Sequence, residues 1–142
     1  MIDPVVAFNH GVAHRLSLAL ATLVVGQTLT SESDVPFEPF TAAFDVGTKV
    51  TATSFKAALG FDAGRQVVFG SAAGFFESAA AATDDPGTQQ VFAVVEHVMR
   101  RSLSGLTQAH VRGEGIVEVP FFLFGRLAGG PLVGLSSTAV ET

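Results

Sequence analysis

Residues 108–125 read QAHVRGEGIVEVPFFLFG. Val111, Gly113, Gly115, Val117 and Val119 fall on one parity; His110, Arg112, Glu114 and Glu118 fall on the other, with Ile116 among them. Alternation of this kind is the period of a β-strand, whose successive side chains point to opposite faces. The stretch predicts a strand with a charged solvent face, on which Arg112, Glu114 and Glu118 make cross-strand charge contacts. Pro120 cannot donate to a ladder and marks an edge or a bend. The run Phe121, Phe122, Leu123, Phe124 has no polar alternate, so it is expected to be buried on both sides or against a second chain.

Upstream, Thr88 can cap a helix running from Gln89 to about Leu103. Val91, Val94, Val95, Val98 and Leu103 lie at helical spacing, with Glu96, Arg100 and Arg101 turned away. Arg100 and Arg101 suit the negative end of the helix dipole, and Gly105 is a natural stop. Residues 66–71 (QVVFGS) read as a strand, and residues 61–66 (FDAGRQ) as the hairpin turn before it. Residues 42–53 alternate: Ala42, Phe44, Val46, Thr48, Val50 and Ala52 share one face of a half-buried strand. The parity then flips to Phe55, Ala57, Leu59 and Phe61, as a bulge would make it do. Residues 31–41, with Pro36, Pro39 and three acids, are expected to be an irregular connector. Residues 72–82 fit a helix or a strand, and the glycine-rich residues 125–142 carry no assignment.

The N-terminal stretch FNHGVAHRLSLALATLVVG (8–26) has the length of a helix, from Val5 to about Thr28, with Pro4 in its first turn and Asp3 as cap. Leu16, Leu18, Leu20, Leu23 and Val25 leave this helix no side fit for water, which predicts burial on more than one face. The order is helix, strands, helix, strands. That is an α+β domain spanning residues 1–142, with a long N-terminal helix and a second amphipathic helix packed on an antiparallel sheet.

Composition narrows function. Hydrophobic residues make up 48% of the 142 and charged residues only 15%, against about 25% in an average chain. Few charges remain to cover the outside, so a homo-oligomer that buries the surplus is expected. The net charge of −5 comes with no basic stripe, so nucleic-acid binding lacks its electrostatic footprint. With no cysteine, thiolate metal sites and cysteine nucleophiles are excluded. The apolar run from Leu16 to Gly26 is too short for the roughly 20 residues that cross a bilayer, so neither a membrane span nor a secretory leader is expected, and the cytoplasm is the expected compartment. No cofactor is expected: FGSAAG (69–74) and GRLAGG (125–130) match neither a phosphate-binding loop nor a dinucleotide fingerprint.

Four residues are the candidates for chemistry. His10 and His14 stand four apart, which places two imidazoles on one helical face as a metal helix requires. Gly11 occupies the place of a metalloprotease glutamate, and a third ligand would have to come from Glu96, His97 or His110. Glu96 and His97 could form an acid/base pair, although neighbours on a helix point about 100° apart, and Glu96 with Arg100 reads as a surface pair. Asp84 and Asp85 read as a solvated turn or a helix cap.

The stretch NHG (9–11) followed by LALATL (18–23) resembles the start of the central helix in hotdog-fold acyl-CoA thioesterases. The resemblance covers about fifteen residues and implies a helix that carries a catalytic acid. Here Val24 and Val25 stand where that acid would be. Three functions are thus in view. The first is a small self-associating binding or assembly module. The second is an enzyme or carrier for a small apolar, acyl-type ligand, with Phe44, Phe55, Phe61, Phe69, Phe121 and Phe122 lining its pocket and His10, His14, Glu96 and His97 converging on it. The third is a metal site at His10 and His14.

Overall fold

A computed structural model of the chain describes residues 4–29 and 35–141, with side chains from residue 9 onward. The elements run α1 (Pro4–Leu23), β1 (Thr28–Leu29), β2 (Val35–Pro36), β3 (Glu38–Ala42), α2 (Ala52–Leu59), β4 (Gln66–Ser71), α3 (Ala72–Ala81), α4 (Pro86–Ser102), β5 (Ser104–Arg112), β6 (Glu118–Arg126) and β7 (Leu132–Val140). The order β3-β7-β6-β5-β4 forms one five-stranded sheet, antiparallel throughout, while β1 and β2 make a separate two-stranded pair. The α+β architecture with a long N-terminal helix is as the sequence predicts.

The stretch 108–125 is two strands and a turn. Gly115 takes φ +73 and Ile116 N–H donates to the Gly113 carbonyl, which closes the β5–β6 connection. The shared parity does not survive that turn. Val111 joins the core on one face of the sheet and Val119 the core on the other. The predicted cross-strand cluster is also replaced, because Arg112 pairs with Glu141. Pro120 lies in a central strand, opposite Thr138 of β7, where the pairing of β6 with β5 has ended at His110–Phe121. Its missing N–H therefore costs no ladder bond on that side. The run 121–124 is buried on both faces, with Phe121 and Leu123 toward one core and Phe122 and Phe124 toward the other.

Several expectations are corrected. Residues 43–51 are a loop and 52–59 a helix, where the alternation predicts a strand with a bulge. Local caps decide this. The Thr51 hydroxyl accepts from Ser54 N–H at 3.1 Å, the Ser54 hydroxyl accepts from Thr51 N–H at 2.8 Å, and Gly60 ends the helix at φ +74. Residues 61–65 accordingly link α2 to β4 and are not a hairpin turn. Residues 35–41, predicted irregular, contain β2 and all of β3 but its last residue, Ala42. Pro39 is tolerated because β3 is an edge strand with one ladder partner. The cap of α4 is Asp85, whose carboxylate accepts from Gly87 and Thr88 N–H, with Pro86 at the first position. Thr88 instead donates its hydroxyl to Asp85 at 2.8 Å. Helix α1 ends at Leu23, and Thr28 belongs to β1; the expected cap Asp3 lies outside the described residues. Residues 72–81 are helical, with Ser71 accepting from Gly74 N–H, and the unassigned C-terminal segment supplies β7.

The sheet carries a core on each face. One holds Phe40, Phe55, Val111, Phe122, Phe124 and Leu132 under α2 and the 43–51 loop. The other packs α1, α3 and α4, through Leu20, Phe75 and Val95, on Phe121, Leu123 and Leu135. Among the described side chains of α1 the buried positions are Ala13, Ser17 and Leu20, one stripe at helical spacing that buried Val24 continues just past the helix end. Ser17 is satisfied by donating to the His14 carbonyl at 2.7 Å. The helix is thus covered on one side only: Leu18, Leu23 and Val25 remain 43%, 38% and 78% exposed.

Candidate functional site

The predicted residues do not gather in one place. His10 and His14 lie one turn apart on α1, both exposed. Next to them Asn9 packs its amide on Gly129, where a Cβ would meet Asn9 Nδ2 at 2.2 Å. On α4, Glu96 forms an ion pair with Arg100 at 2.8 Å, the expected surface pair, and His97 is exposed. Among the described residues no group of three or more His, Asp or Glu could hold a metal ion, so no third ligand stands beside His10 and His14. The six phenylalanines are divided by the sheet. Phe44, Phe55, Phe61, Phe69 and Phe122 are on the α2 side, where Phe55 stacks on Phe124 at 5.4 Å, and Phe121 is on the other.

The site that does form involves His110. Ala109 and Val111 are buried toward α2, so Gln108 and His110, of opposite parity, face α3 and α4. His110 lies directly across the ladder from Phe121, ring to ring at 5.2 Å. Phe75 of α3, Phe92 of α4 and Phe37 between β2 and β3 meet above it, each pair of rings edge-to-face at 6.1–6.2 Å. They border a cleft of about 470 Å³, which is also lined by the turn after α1, by Ser78 of α3 and by Ala82, the residue that caps that helix.

Besides Gln108 and His110, the polar residues that line the cleft are Gln27, Thr28, Ser78, Thr83 and Thr88. Gln108 Nε2 donates to the Ser71 carbonyl at 2.9 Å, which fixes the amide. Gln89 holds the α3–α4 corner by donating to the Ala80 and Thr83 carbonyls. The imidazole of His110 makes no hydrogen bond to the protein among the described residues. Its pKa is held below the ordinary histidine value, first by burial and then by the Arg112 guanidinium, with the Glu141 carboxylate opposing. Glu141 is itself held below the usual carboxylate range, chiefly by its hydrogen bonds from Arg112.

Among the described residues no hydroxyl or carboxylate is hydrogen-bonded to that imidazole, whose near neighbour is the Phe121 ring. The expected strand placed His110 on a solvent face. Its distinguishing signal is that Gln108 and His110 are the uncharged members of a parity whose later members are Arg112, Glu114 and Glu118.

Residues 14–142 match the family model of the nuclease A inhibitor-like proteins, NuiA. The chain belongs to the nuclease A inhibitor-like family. Comparison with curated proteins gives no match. The NuiA-like span takes in the whole sheet, α2, α3, α4 and the His110 cleft, and leaves His10 outside. It is a different family from the thioesterases that residues 9–23 resemble. Among the described residues no helix is long and apolar enough to cross a membrane.

Proposed function

We propose that this chain is a protein-binding inhibitor module whose partner is a nuclease. The observation that carries the reading is the family match over residues 14–142, with the function that the family's name states. Charge supports it. The chain carries −5, and a nuclease surface that receives a polyanion is cationic, so the two attract. The test is a titration of the purified chain into nuclease A acting on a nucleic-acid substrate. Activity is expected to fall linearly to zero at an equimolar ratio, and light scattering behind a sizing column is expected to give a 1:1 complex. Inhibition should weaken with added salt, since the Debye length shrinks to about 3 Å at 1 M. Full nuclease activity beside excess chain, with no complex, overturns the reading.

A second reading is self-association, and one observation favours it. Leu18 and Leu23 of α1, and Val25 just past its end, are exposed apolar side chains on the outward side of the helix among the described residues. A pair of copies related by a two-fold axis would bury that strip against itself. Light scattering of the chain alone tests this: a dimer that Leu18→Asp converts to monomer supports it, and a monomeric wild-type chain ends it.

A further inference from the structure

We propose that the cleft between Phe37, Phe75, Phe92 and Phe121 is a binding site for a small neutral aromatic molecule bearing a hydroxyl or amide group. Size sets the first limit. At about 470 Å³ the cleft falls in the range of small-molecule sites, about 300–1,000 Å³. Its walls set the second. Phe37, Phe75 and Phe92 are mutually edge-to-face, and Phe75 tilts over Phe121 at 5.4 Å and 32°. A further flat ring can meet such rings edge-to-face or offset, the arrangements that aromatic quadrupoles favour.

Charge sets the third limit. Among the described residues, no Asp, Glu, Lys or Arg lines the cleft. An ionised ligand would lose its water and gain no counter-charge. The histidine does not supply one at neutral pH, because burial favours its uncharged form. The ligand is therefore neutral.

Hydrogen bonding sets its polar group. Gln108 has committed an amide N–H to the Ser71 carbonyl, which leaves its own carbonyl oxygen to accept. The neutral imidazole of His110 offers one N–H and one lone pair and uses neither among the described residues. A hydroxyl or a primary amide can donate to Gln108 and exchange a second hydrogen bond with His110. An acyl chain could fill the apolar space but would leave both groups unpaired, a loss of the kind that sets specificity.

The probe for this site is p-cresol, titrated into the chain alone and followed by NMR and calorimetry. Saturable shifts are expected at His110 and at the rings of Phe75, Phe92 and Phe121. Ser78 and Ala82 are exposed positions on the lip, so Ser78→Trp or Ala82→Trp fills the cleft without touching the core, and each is expected to abolish binding with the fold retained by circular dichroism. Gln108→Leu should weaken p-cresol about tenfold, the loss of one buried hydrogen bond worth about 1.4 kcal/mol. The anionic 4-methylbenzoate and the non-aromatic cyclohexanol should bind far more weakly. The proposal is overturned if p-cresol gives no saturable shift, if binding persists in both tryptophan variants, or if either comparison compound binds as tightly. Because no nuclease enters this experiment, its outcome is independent of the inhibitor reading.

Discussion

Arg112 and Glu141 form a two-pronged ion pair, Nε to Oε2 and Nη2 to Oε1 both at 2.9 Å, between β5 and the residue that follows β7. The strand between them, β6, has ended its pairing with β5 by this point, and Glu141 N–H donates to the Val117 carbonyl. The pair therefore closes the end of the sheet where the β5–β6 turn diverges. Both side chains are about two-fifths exposed, so solvent screens much of the attraction. Glu141→Gln is expected to cost no more than about 1 kcal/mol in urea unfolding at neutral pH. The sign with pH follows from Glu141 being held below the usual carboxylate range. Its contribution is present above the unfolded carboxylate pKa and is lost as pH falls through the folded one. A difference between wild type and variant that persists under strongly acidic conditions would count against this account.

His110 gives a second pH dependence of distinct origin. Its folded pKa is depressed, mainly by burial, so the unfolded chain binds the proton more readily. Stability is full above the ordinary imidazole pKa and declines as pH falls from there toward the folded value. His110→Gln should flatten that decline in melting temperature between about pH 7.5 and about pH 5.5, the region where an imidazole titrates. NMR titration offers a sharper check. Glu141 raises the His110 pKa and Arg112 lowers it, so Glu141→Gln should move it further down. An upward move would mean that the ion pair does not act on the imidazole.

Gly134 is the most closely approached glycine of the sheet among the described residues. It sits between Phe40 of β3 and Phe124 of β6, whose rings meet at 6.2 Å. A Cβ there would come within 1.9 Å of the Leu123 carbonyl oxygen and 2.7 Å of Phe124 Cα, both backbone atoms that cannot turn aside. Gly134→Ala should destabilise by about 3 kcal/mol, as overpacking of a central strand does. Gly64→Ala is the control. Its Cβ meets nothing within 4 Å, so restricting the unfolded chain should leave stability unchanged or raise it by about 0.5 kcal/mol. Chemical denaturation of the two variants side by side measures the contrast, and equal stabilities would refute it.

Arg126 is the anchor of the 43–51 loop. It donates to the carbonyls of Asp45 and Thr48 and, at 2.9 Å, to that of Gly130, and it lies over the Phe44 ring at 5.7 Å. Arg126→Ala should raise amide exchange at Thr48, whose N–H closes the turn onto the Asp45 carbonyl, by about tenfold or more, given the strength of charge-assisted bonds. Exchange in β6 and β7 away from residue 126 should be unaffected. Unchanged exchange at Thr48 would show that the loop is held by Phe44 alone.

How far the sequence could be read depended on the kind of signal. The helix beginning near residue 86 declared itself by the spacing of Val91, Val95 and Val98 and by its two terminal arginines, and strand 66–71 by its β-branched run between turns. Residues 42–53 alternated just as regularly and misled, because small residues such as Ala43, Gly47 and Ala52 alternate without committing to a face. There the Thr51–Ser54 caps prevailed over period. The candidate site was less legible. His10, His14, Glu96 and His97 are recognisable as types, but the backbone holds them apart.

The sequence by itself determined the α+β class, the antiparallel character of the sheet and the shortage of charge, since all of these follow from local period, turn chemistry and composition. Only the tertiary structure decided which strands are neighbours, that residues 132–140 of the unassigned C-terminal segment form an interior strand, and that His110 stands over Phe121 at the base of an aromatic cleft. The reason is physical. A strand's partners, the face it presents to a helix and the environment of a histidine are set by contacts between residues far apart in the chain, and no local pattern records them.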